Sequence, residues 1–325
     1  MLTNKHDAHY MAAAIALSER ARGRTGDNPN VGCIVVKDGT VIGRGWTQPG
    51  GRPHAEAMAL AQAGAAAKGA DIYVTLEPCA HKSERGPTCA DLVKDAAPAR
   101  VIVATLDIDE RTRRHGIDRL GDAGISVSVG VLEQQAHRAM AGFFTRMEKG
   151  RPHVTLKLAM SLDGCIAMGN GTSQWITGEQ ARAHAHLERA RCDAILVGAG
   201  TATTDRPGLD VRLAGLADRS PRPVVLGKAE VADHWTEISE PQAITELEQV
   251  NWLLVEGGAA TAASFLKADM VDRLLLYRAP IIIGGGLSGV ADIGLESLDS
   301  AHGQWHRLDR RTLGEDVLEI YERAA

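Results

Sequence analysis

Four residues in the first third of the chain, His54, Glu56, Cys79 and Cys89, could together hold and use a metal ion. Imidazole and thiolate are the donors that favour zinc, and a catalytic zinc site keeps three protein ligands and one open position. One His and two Cys meet that count. Zinc lowers the pKa of bound water to about 7, which makes a nucleophile at neutral pH, but the reaction still needs a group to carry protons. Glu56 is the candidate for that role. The plain alternative makes His54 a helix-start residue, Glu56 a first-turn acid and the cysteines small core hydrophobes. It accounts for each residue singly but not for the four in this order.

To meet, these residues must sit on adjoining elements. Periodicity gives alternating strand and helix signals, the pattern of layered α/β folds. Strands are expected at 31–37, 41–46, 71–75, 100–104 and 125–129, and helices at 7–22, 55–68, 89–96, 113–123 and 133–147. Lys37-Asp38-Gly39-Thr40 should turn the first two strands into a hairpin, because Asp-Gly tolerates the positive φ such turns require. His54 then begins a helix with Glu56 in its first turn, Cys79 follows a strand, and Cys89 opens the next helix, whose positive end favours a thiolate. Nine residues separate the cysteines, which excludes a tight CxxC turn and predicts a loop over the site. His81, Lys82 and Arg85 in that loop suit a phosphate, the alternative being a solvated charged surface.

Glu148-Lys149-Gly150-Arg151-Pro152 interrupts the pattern with Gly and Pro among charges. A domain boundary is placed there, giving units at 1–147 and 151–325. In the second, strands are expected at 153–160, 194–197, 223–226, 252–255 and 273–277, and helices at 178–191 and 259–268. Two domains suit 325 residues, and 44% hydrophobic with 24% charged residues excludes a disordered chain. Aromatics at 4% and a net charge of −5 count against a nucleic-acid binder, which needs basic surface and rings for stacking. No apolar run approaches the roughly 20 residues of a membrane helix. The amino terminus reads as an amphipathic helix rather than an export signal, so a cytoplasmic protein that engages neither membrane nor nucleic acid is expected. Five irregularly spaced cysteines argue for free thiols over a disulfide framework, with Cys33, Cys165 and Cys192 as core thiols.

The order Pro53-His54-Ala55-Glu56, then Glu77-Pro78-Cys79 and a further Cys, is that of the zinc nucleobase deaminases, whose Glu is an acid-base group and not a ligand. Further motifs are Asn28-Pro29-Asn30-Val31-Gly32-Cys33, Leu156-Lys157-Leu158-Ala159-Met160-Ser161-Leu162-Asp163-Gly164, Ser173-Gln174-Trp175-Ile176-Thr177 and Val255-Glu256-Gly257-Gly258. With these and the extended loop to Cys89, the sequence resembles the bifunctional deaminase-reductases of riboflavin biosynthesis over nearly its whole length. The resemblance implies a cytidine-deaminase-like three-layer α/β/α domain followed by a dihydrofolate-reductase-like α/β domain. It implies zinc-dependent hydrolytic deamination of a diaminopyrimidinone bearing a phosphoribosylamino group, then NADPH-dependent reduction of the ribosyl group to ribityl. A phosphorylated small molecule is the expected partner and a homo-oligomer the expected state.

By family position, His54, Cys79 and Cys89 are zinc ligands, Glu56 is catalytic, Asn30 and His81 contact the pyrimidine, and Arg85 lies near the phosphate. In the second half Ser173, Arg189, Leu209, Arg212 and Glu256 would hold substrate, the two arginines serving its phosphate. Ala159, Trp175, Thr201 and Asp205 would line the NADPH pocket, with Gly258, Ala259, Ala260 and Thr261 near its phosphates. No G-x-G-x-x-G opens a helix after a strand, so a Rossmann site is not supported, whereas the stretch after Glu256 follows a strand and opens a helix, where bare N–H groups can meet a pyrophosphate. Ile283-Gly284-Gly285-Gly286 reads as a plain flexible loop. The chain has Thr47 where the family has His, Arg206 in place of an acid, Leu226-Gly227 in place of Asp and a hydroxyl, and a short 228–250 segment. A deaminase whose second half only scaffolds is therefore the competing expectation.

Overall fold

In the computed structural model, which describes residues 5–81 and 86–324, the chain separates into one unit ending at Gly150 and another beginning at Arg151. In the first unit β1 (Gly32–Lys37), β2 (Thr40–Trp46), β3 (Asp71–Leu76), β4 (Arg100–Thr105) and β5 (Ser126–Val129) form a sheet in the order β2-β1-β3-β4-β5. β1 is antiparallel to β2 and β3, and β3, β4 and β5 are parallel. Asp38 and Gly39 turn the hairpin with φ of 49° and 74°, the positive values that match its twist.

Helices α1 (Lys5–Ser18), α2 (Ala55–Ala63), α3 (Cys89–Ala96), α4 (His115–Asp122), α5 (Glu133–Ala139) and α6 (Ala141–Lys149) complete the unit. α1 and α5 pack together on the sheet, as do α2 and α3, which makes the α/β/α layering. The approach of α2 is set by small residues. A Cβ on Gly45 would lie 2.0 Å from the Ala55 carbonyl oxygen, and one on Gly43 2.2 Å from that of Ala59. Ala55 and Ala59 are themselves wholly buried. Two glycines on one face of β2 thus let the helix carrying Glu56 rest on the sheet backbone, close packing that needs no aromatic filler.

Three expectations for this unit change. The helix expected at 55–68 stops as an α-helix at Ala63, where Gly64 takes φ 55° and a short 3-10 turn follows. α1 ends at Ser18, after which the chain continues in tight turns closed by Arg20 and Ala21 N–H groups. The single helix expected at 133–147 is two, α5 and α6, meeting at Met140 (φ −109°, ψ 16°). Met140 is fully buried, with its thioether against the Thr75 hydroxyl, and the chain turns about it so that Phe143 and Phe144 also reach the core.

In the second unit β6 (His153–Met160), β8 (Ala194–Gly198), β9 (Arg222–Leu226), β10 (Thr236–Ile238), β11 (Trp252–Val255) and β12 (Arg273–Arg278) are parallel. β14 (Trp305–Leu313) and β15 (Asp316–Arg323) form an antiparallel hairpin on β12, giving the order β10-β9-β8-β11-β6-β12-β15-β14. A small ribbon pairs β7 (Cys165–Ala167) with β13 (Leu287–Ser288), and α7 (Glu179–Arg189), α8 (Ala199–Asp205) and α9 (Ala259–Lys267) are its helices. Leu156, Leu196, Leu253 and Phe265 centre the core. The unit starts with a lock. The buried Arg151 guanidinium makes two bonds to the Asp272 carboxylate, at 2.6 and 2.8 Å, and the same carboxylate accepts the Val154 N–H at 2.9 Å. Among the described residues no helix is long and apolar enough to cross a membrane.

Candidate active sites

In the first unit, His54 stands at the N-cap of α2 with extended backbone, and Glu56 occupies the first helical turn. Cys79 follows the end of β3. Cys89 is the first residue of α3, fixed there by Thr88, whose hydroxyl accepts the Asp91 N–H at 3.1 Å. His54 Nδ1 lies 3.2 Å from Cys89 Sγ and 3.5 Å from Cys79 Sγ, and the Cys89 N–H donates to Cys79 Sγ at 3.4 Å. The three ligand atoms all lie within 4.8 Å of one another. Ligands at about 2.0–2.3 Å from a tetrahedral zinc stand roughly 3.5–3.8 Å apart, so this N, S, S set fits that ion. Bonding to Cys89 and His54 holds the Cys79 thiol down at about 4, while the same contact and burial push that of Cys89 up. Glu56 is 3% exposed, and burial lifts its carboxyl to about 7 against the opposing pull of His54.

Asn30 is also buried, and its Nδ2 donates to the Ala139 carbonyl at 2.8 Å and the Ser18 carbonyl at 3.4 Å, so its amide nitrogen serves the framework. The His81 ring lies 3.1 Å from the Thr112 hydroxyl. Lys82 and Arg85 lie outside the described residues. Thr47, the departure from the family pattern, clasps the segment beside Asn30: its hydroxyl donates to the Pro29 carbonyl at 3.0 Å and accepts the Val31 N–H at 2.9 Å. Sequence reasoning placed Glu77 in the Glu77-Pro78-Cys79 motif without a role. This buried carboxylate accepts N–H groups from Arg114 and Gly116 at 3.0 Å and from Ile117 at 3.3 Å, fastening the start of α4 beside Cys79. Its one signal was an acid immediately before Pro78-Cys79.

The second unit contains a cavity of about 660 Å³ at the carboxyl ends of its parallel strands, where open α/β sheets bind ligands. Of the residues expected there, Ala159, Ser173, Trp175, Arg189, Thr201, Asp205, Arg212, Glu256 and Gly258 line it. Leu209, Ala259, Ala260 and Thr261 do not. Leu209 is only 4% exposed, in a left-handed turn. Thr261 is spent on packing: a Cβ on Gly198 would come within 2.2 Å of its Oγ1 and one on Gly257 within 2.4 Å of its Cβ, so it seats α9 on the ends of β8 and β11. No side chain caps the start of α9 at Gly258, so backbone N–H groups of its first turn are available to an anion.

Arg189, expected at a phosphate, is largely committed elsewhere. Its Nε and Nη2 bond the Glu256 carboxylate at 2.8 and 3.0 Å, and its Nη1 donates to the Asp210 carbonyl at 3.1 Å. Lys157 joins the same carboxylate at 3.5 Å. Burial would raise the Glu256 carboxyl, but the charges of Lys157 and Arg189 hold it at about 2. Arg212, with a side chain 61% exposed, is the freer cation. Trp175 is 63% exposed, with the Arg182 guanidinium 4.9 Å from its ring centre, so it belongs to the cavity mouth. Lys157, Arg182 and His186 also line the cavity. Lys157 lay inside a recognised motif without a role. The glycine loop is fastened at one end: the Asp163 carboxylate accepts N–H groups from Ile283 at 3.2 Å and Gly284 at 2.8 Å.

Comparison with known proteins gives two family matches. The cytidine and deoxycytidylate deaminase zinc-binding region matches residues 4–105. The RibD C-terminal domain matches residues 152–318. The riboflavin biosynthesis protein RibD of Aquifex aeolicus is 36% identical over 98% of both chains, and that of Escherichia coli 37% identical over 96% of this chain and 98% of its own. Among solved structures, Acinetobacter baumannii RibD aligns over 99% of both chains at 33% identity with a TM-score of 0.87. A Thermotoga maritima protein described as a diaminohydroxyphosphoribosylaminopyrimidine deaminase/5-amino-6-(5-phosphoribosylamino)uracil reductase aligns over 98% of this chain and 99% of its own, at 31% identity and the same TM-score of 0.87.

Proposed function

The chain belongs to the RibD family of riboflavin biosynthesis proteins, and on that premise we propose that it carries out both reactions of such an enzyme. The first unit removes ammonia hydrolytically from 2,5-diamino-6-(5-phosphoribosylamino)pyrimidin-4-one. The second reduces the ribosyl group of the product to ribityl with NADPH. The observation that carries the reading is the meeting of His54, Cys79 and Cys89 donors within 4.8 Å of one another, beside buried Glu56.

Zinc, when held by these three residues, supplies the activation of water at neutral pH. The chain supplies the proton traffic. Glu56 takes a proton as water adds to the ring carbon bearing the amino group and passes it to the adjacent ring nitrogen, then carries the proton of the new hydroxyl to the departing nitrogen, so that a carbonyl and ammonia result. His81, braced by Thr112, and Asn30 present the pyrimidine. In the second unit NADPH supplies the hydride, and the protein's work is positioning. Arg212 takes the substrate phosphate, and the Arg189–Glu256–Lys157 cluster holds the cavity wall in one geometry. Ala159, Trp175, Thr201 and Asp205 flank the nicotinamide side, and the start of α9 receives the cofactor phosphates. The five free thiols suit a reducing compartment, and we place the enzyme in the cytoplasm.

The test is to supply the diaminopyrimidine ribotide with and without NADPH while following ammonia and nicotinamide absorbance separately. Ammonia release alone without NADPH, and NADPH oxidation that depends on deaminated substrate, are expected. No NADPH consumption with saturating deaminated substrate would leave a deaminase with a scaffold attached.

A further inference from the structure

Cys79 and Cys89 are joined by a loop much longer than the tight turn that usually fixes two zinc cysteines, yet their sulfurs sit within reach of one imidazole. A longer loop costs more entropy to close, so its length does not by itself bring its two ends together. The ends are tied directly where the Ala90 N–H donates to the Cys79 carbonyl at 3.1 Å and the Cys89 N–H to Cys79 Sγ at 3.4 Å, and a further hold comes from outside the loop. α4, which supplies no ligand, touches both ends. Its start is tied to Glu77, two residues before Cys79, and a Cβ on Gly116 would lie 2.0 Å from the Pro78 carbonyl oxygen, so helix and strand end lie in backbone contact. Further along α4, the Arg119 guanidinium spans the loop mouth. Its Nη2 donates to the Ala80 carbonyl at 3.2 Å, and its Nη1 donates to the Thr88 hydroxyl at 3.2 Å and to Asp91 Oδ2 at 3.1 Å. Ala80 directly follows Cys79, and Thr88 directly precedes Cys89 and caps its helix.

One planar fork therefore grips the neighbour of each thiolate from a helix that is itself anchored to the strand before the first. We propose that Arg119 is a positioning residue of the metal centre, a staple that closes the mouth of the inter-cysteine loop and holds Cys79 and Cys89 at ligating distance. It touches neither metal nor substrate and acts through Ala80 and Thr88. The ion pair with Asp91 is half-exposed and contributes little by itself. What matters is that two donors of one rigid group point at both ends of the loop, which a lysine cannot reproduce. The proposal rests on the reading that His54, Cys79 and Cys89 hold zinc.

The experiment titrates the zinc-loaded full-length chain with a chromogenic chelator, and records the thiolate-to-metal absorption of the cobalt-substituted protein. Arg119→Met should weaken zinc retention about 10- to 100-fold, the range for partners that orient metal ligands, and diminish the cobalt band. Arg119→Lys should fall between wild type and Arg119→Met, and Asp91→Asn, which removes the charge paired with Arg119 and Lys94 but keeps a side-chain oxygen for the Thr88 hydroxyl, should stay near wild type. NADPH oxidation on deaminated substrate should be unchanged throughout. Wild-type zinc retention in Arg119→Met overturns the staple, and so does a loss that merely tracks an equal fall in the melting temperature of the zinc-free chain. A wild-type chain that takes up no zinc overturns instead the metal reading beneath it.

Discussion

Glu56 is separated from His54 by a single alanine, yet the proposed function gives the two different tasks: one donates a lone pair, the other moves protons. Glu56→Gln keeps the shape and removes the proton carrier. Zinc content should stay at the wild-type level while ammonia release falls at least about 100-fold, since positioned acid-base groups contribute on the order of 10²–10⁴. Metal analysis and an ammonia assay on one sample check both halves, and persistent deamination would refute the role. The four residues of this centre were legible in the sequence because their types and order exclude most other chemistry. Their supports were not. Glu77 bonds Gly116 across 39 residues, His81 meets Thr112 across 31, and Arg189 meets Glu256 across 67. Nothing in local pattern links such pairs, so Arg189 read as a phosphate group when most of its donors serve Glu256.

At the scale of elements, alternating periodicity located most strands and helices, because one face of each is buried. It failed where that contrast is weak. Most β14 side chains are exposed, so that strand offered no apolar rhythm, and the break between α5 and α6 depends on the buried site of one methionine. The glycines of β2 show what an element contributes to a site it does not line. Gly45→Val would drive a side chain into the Ala55 backbone and push α2 away. Overpacking of this kind costs about 1–3 kcal/mol or more, and here it moves His54 and Glu56 away from the cysteines. The expected outcome is loss of ammonia release and of bound zinc, with NADPH oxidation on deaminated substrate intact, both read on one preparation. Equal loss of both activities would count against the local account.

For the molecule as a whole, the two units carry different electrostatic liabilities. In the second, burial raises the Glu256 carboxyl, and Lys157 with Arg189 instead hold it at about 2. Asp272 is likewise held low, by Arg151 against the effect of burial. A depressed carboxylate adds stability that is complete above its unfolded value and is lost as pH falls through the folded one. For Glu256 this amounts to on the order of 3 kcal/mol, lost between about pH 5 and pH 2. The melting temperature of the second unit should therefore fall across that window, and Glu256→Gln should flatten the fall while lowering stability at neutral pH. A pH profile identical to wild type would show that the cluster contributes nothing to acid lability. The low aromatic content and net charge of −5 counted against a nucleic-acid partner at the outset, but which few cations are left to meet a phosphate became visible only once the ion pairs were in place.

Arg151, the first residue of the second unit, bears on how the protein can be taken apart. Its guanidinium is sealed onto Asp272 at the head of the β12 strand, far along the chain. A gene fragment begun at Pro152 would encode every residue of the sheet and yet strand a mostly buried carboxylate without its guanidinium partner, a loss of about 3–5 kcal/mol for a broken buried pair. Begun at Gly150, the same fragment carries its own clasp. The place to cut is thus decided by an ion pair and not by where the first strand starts.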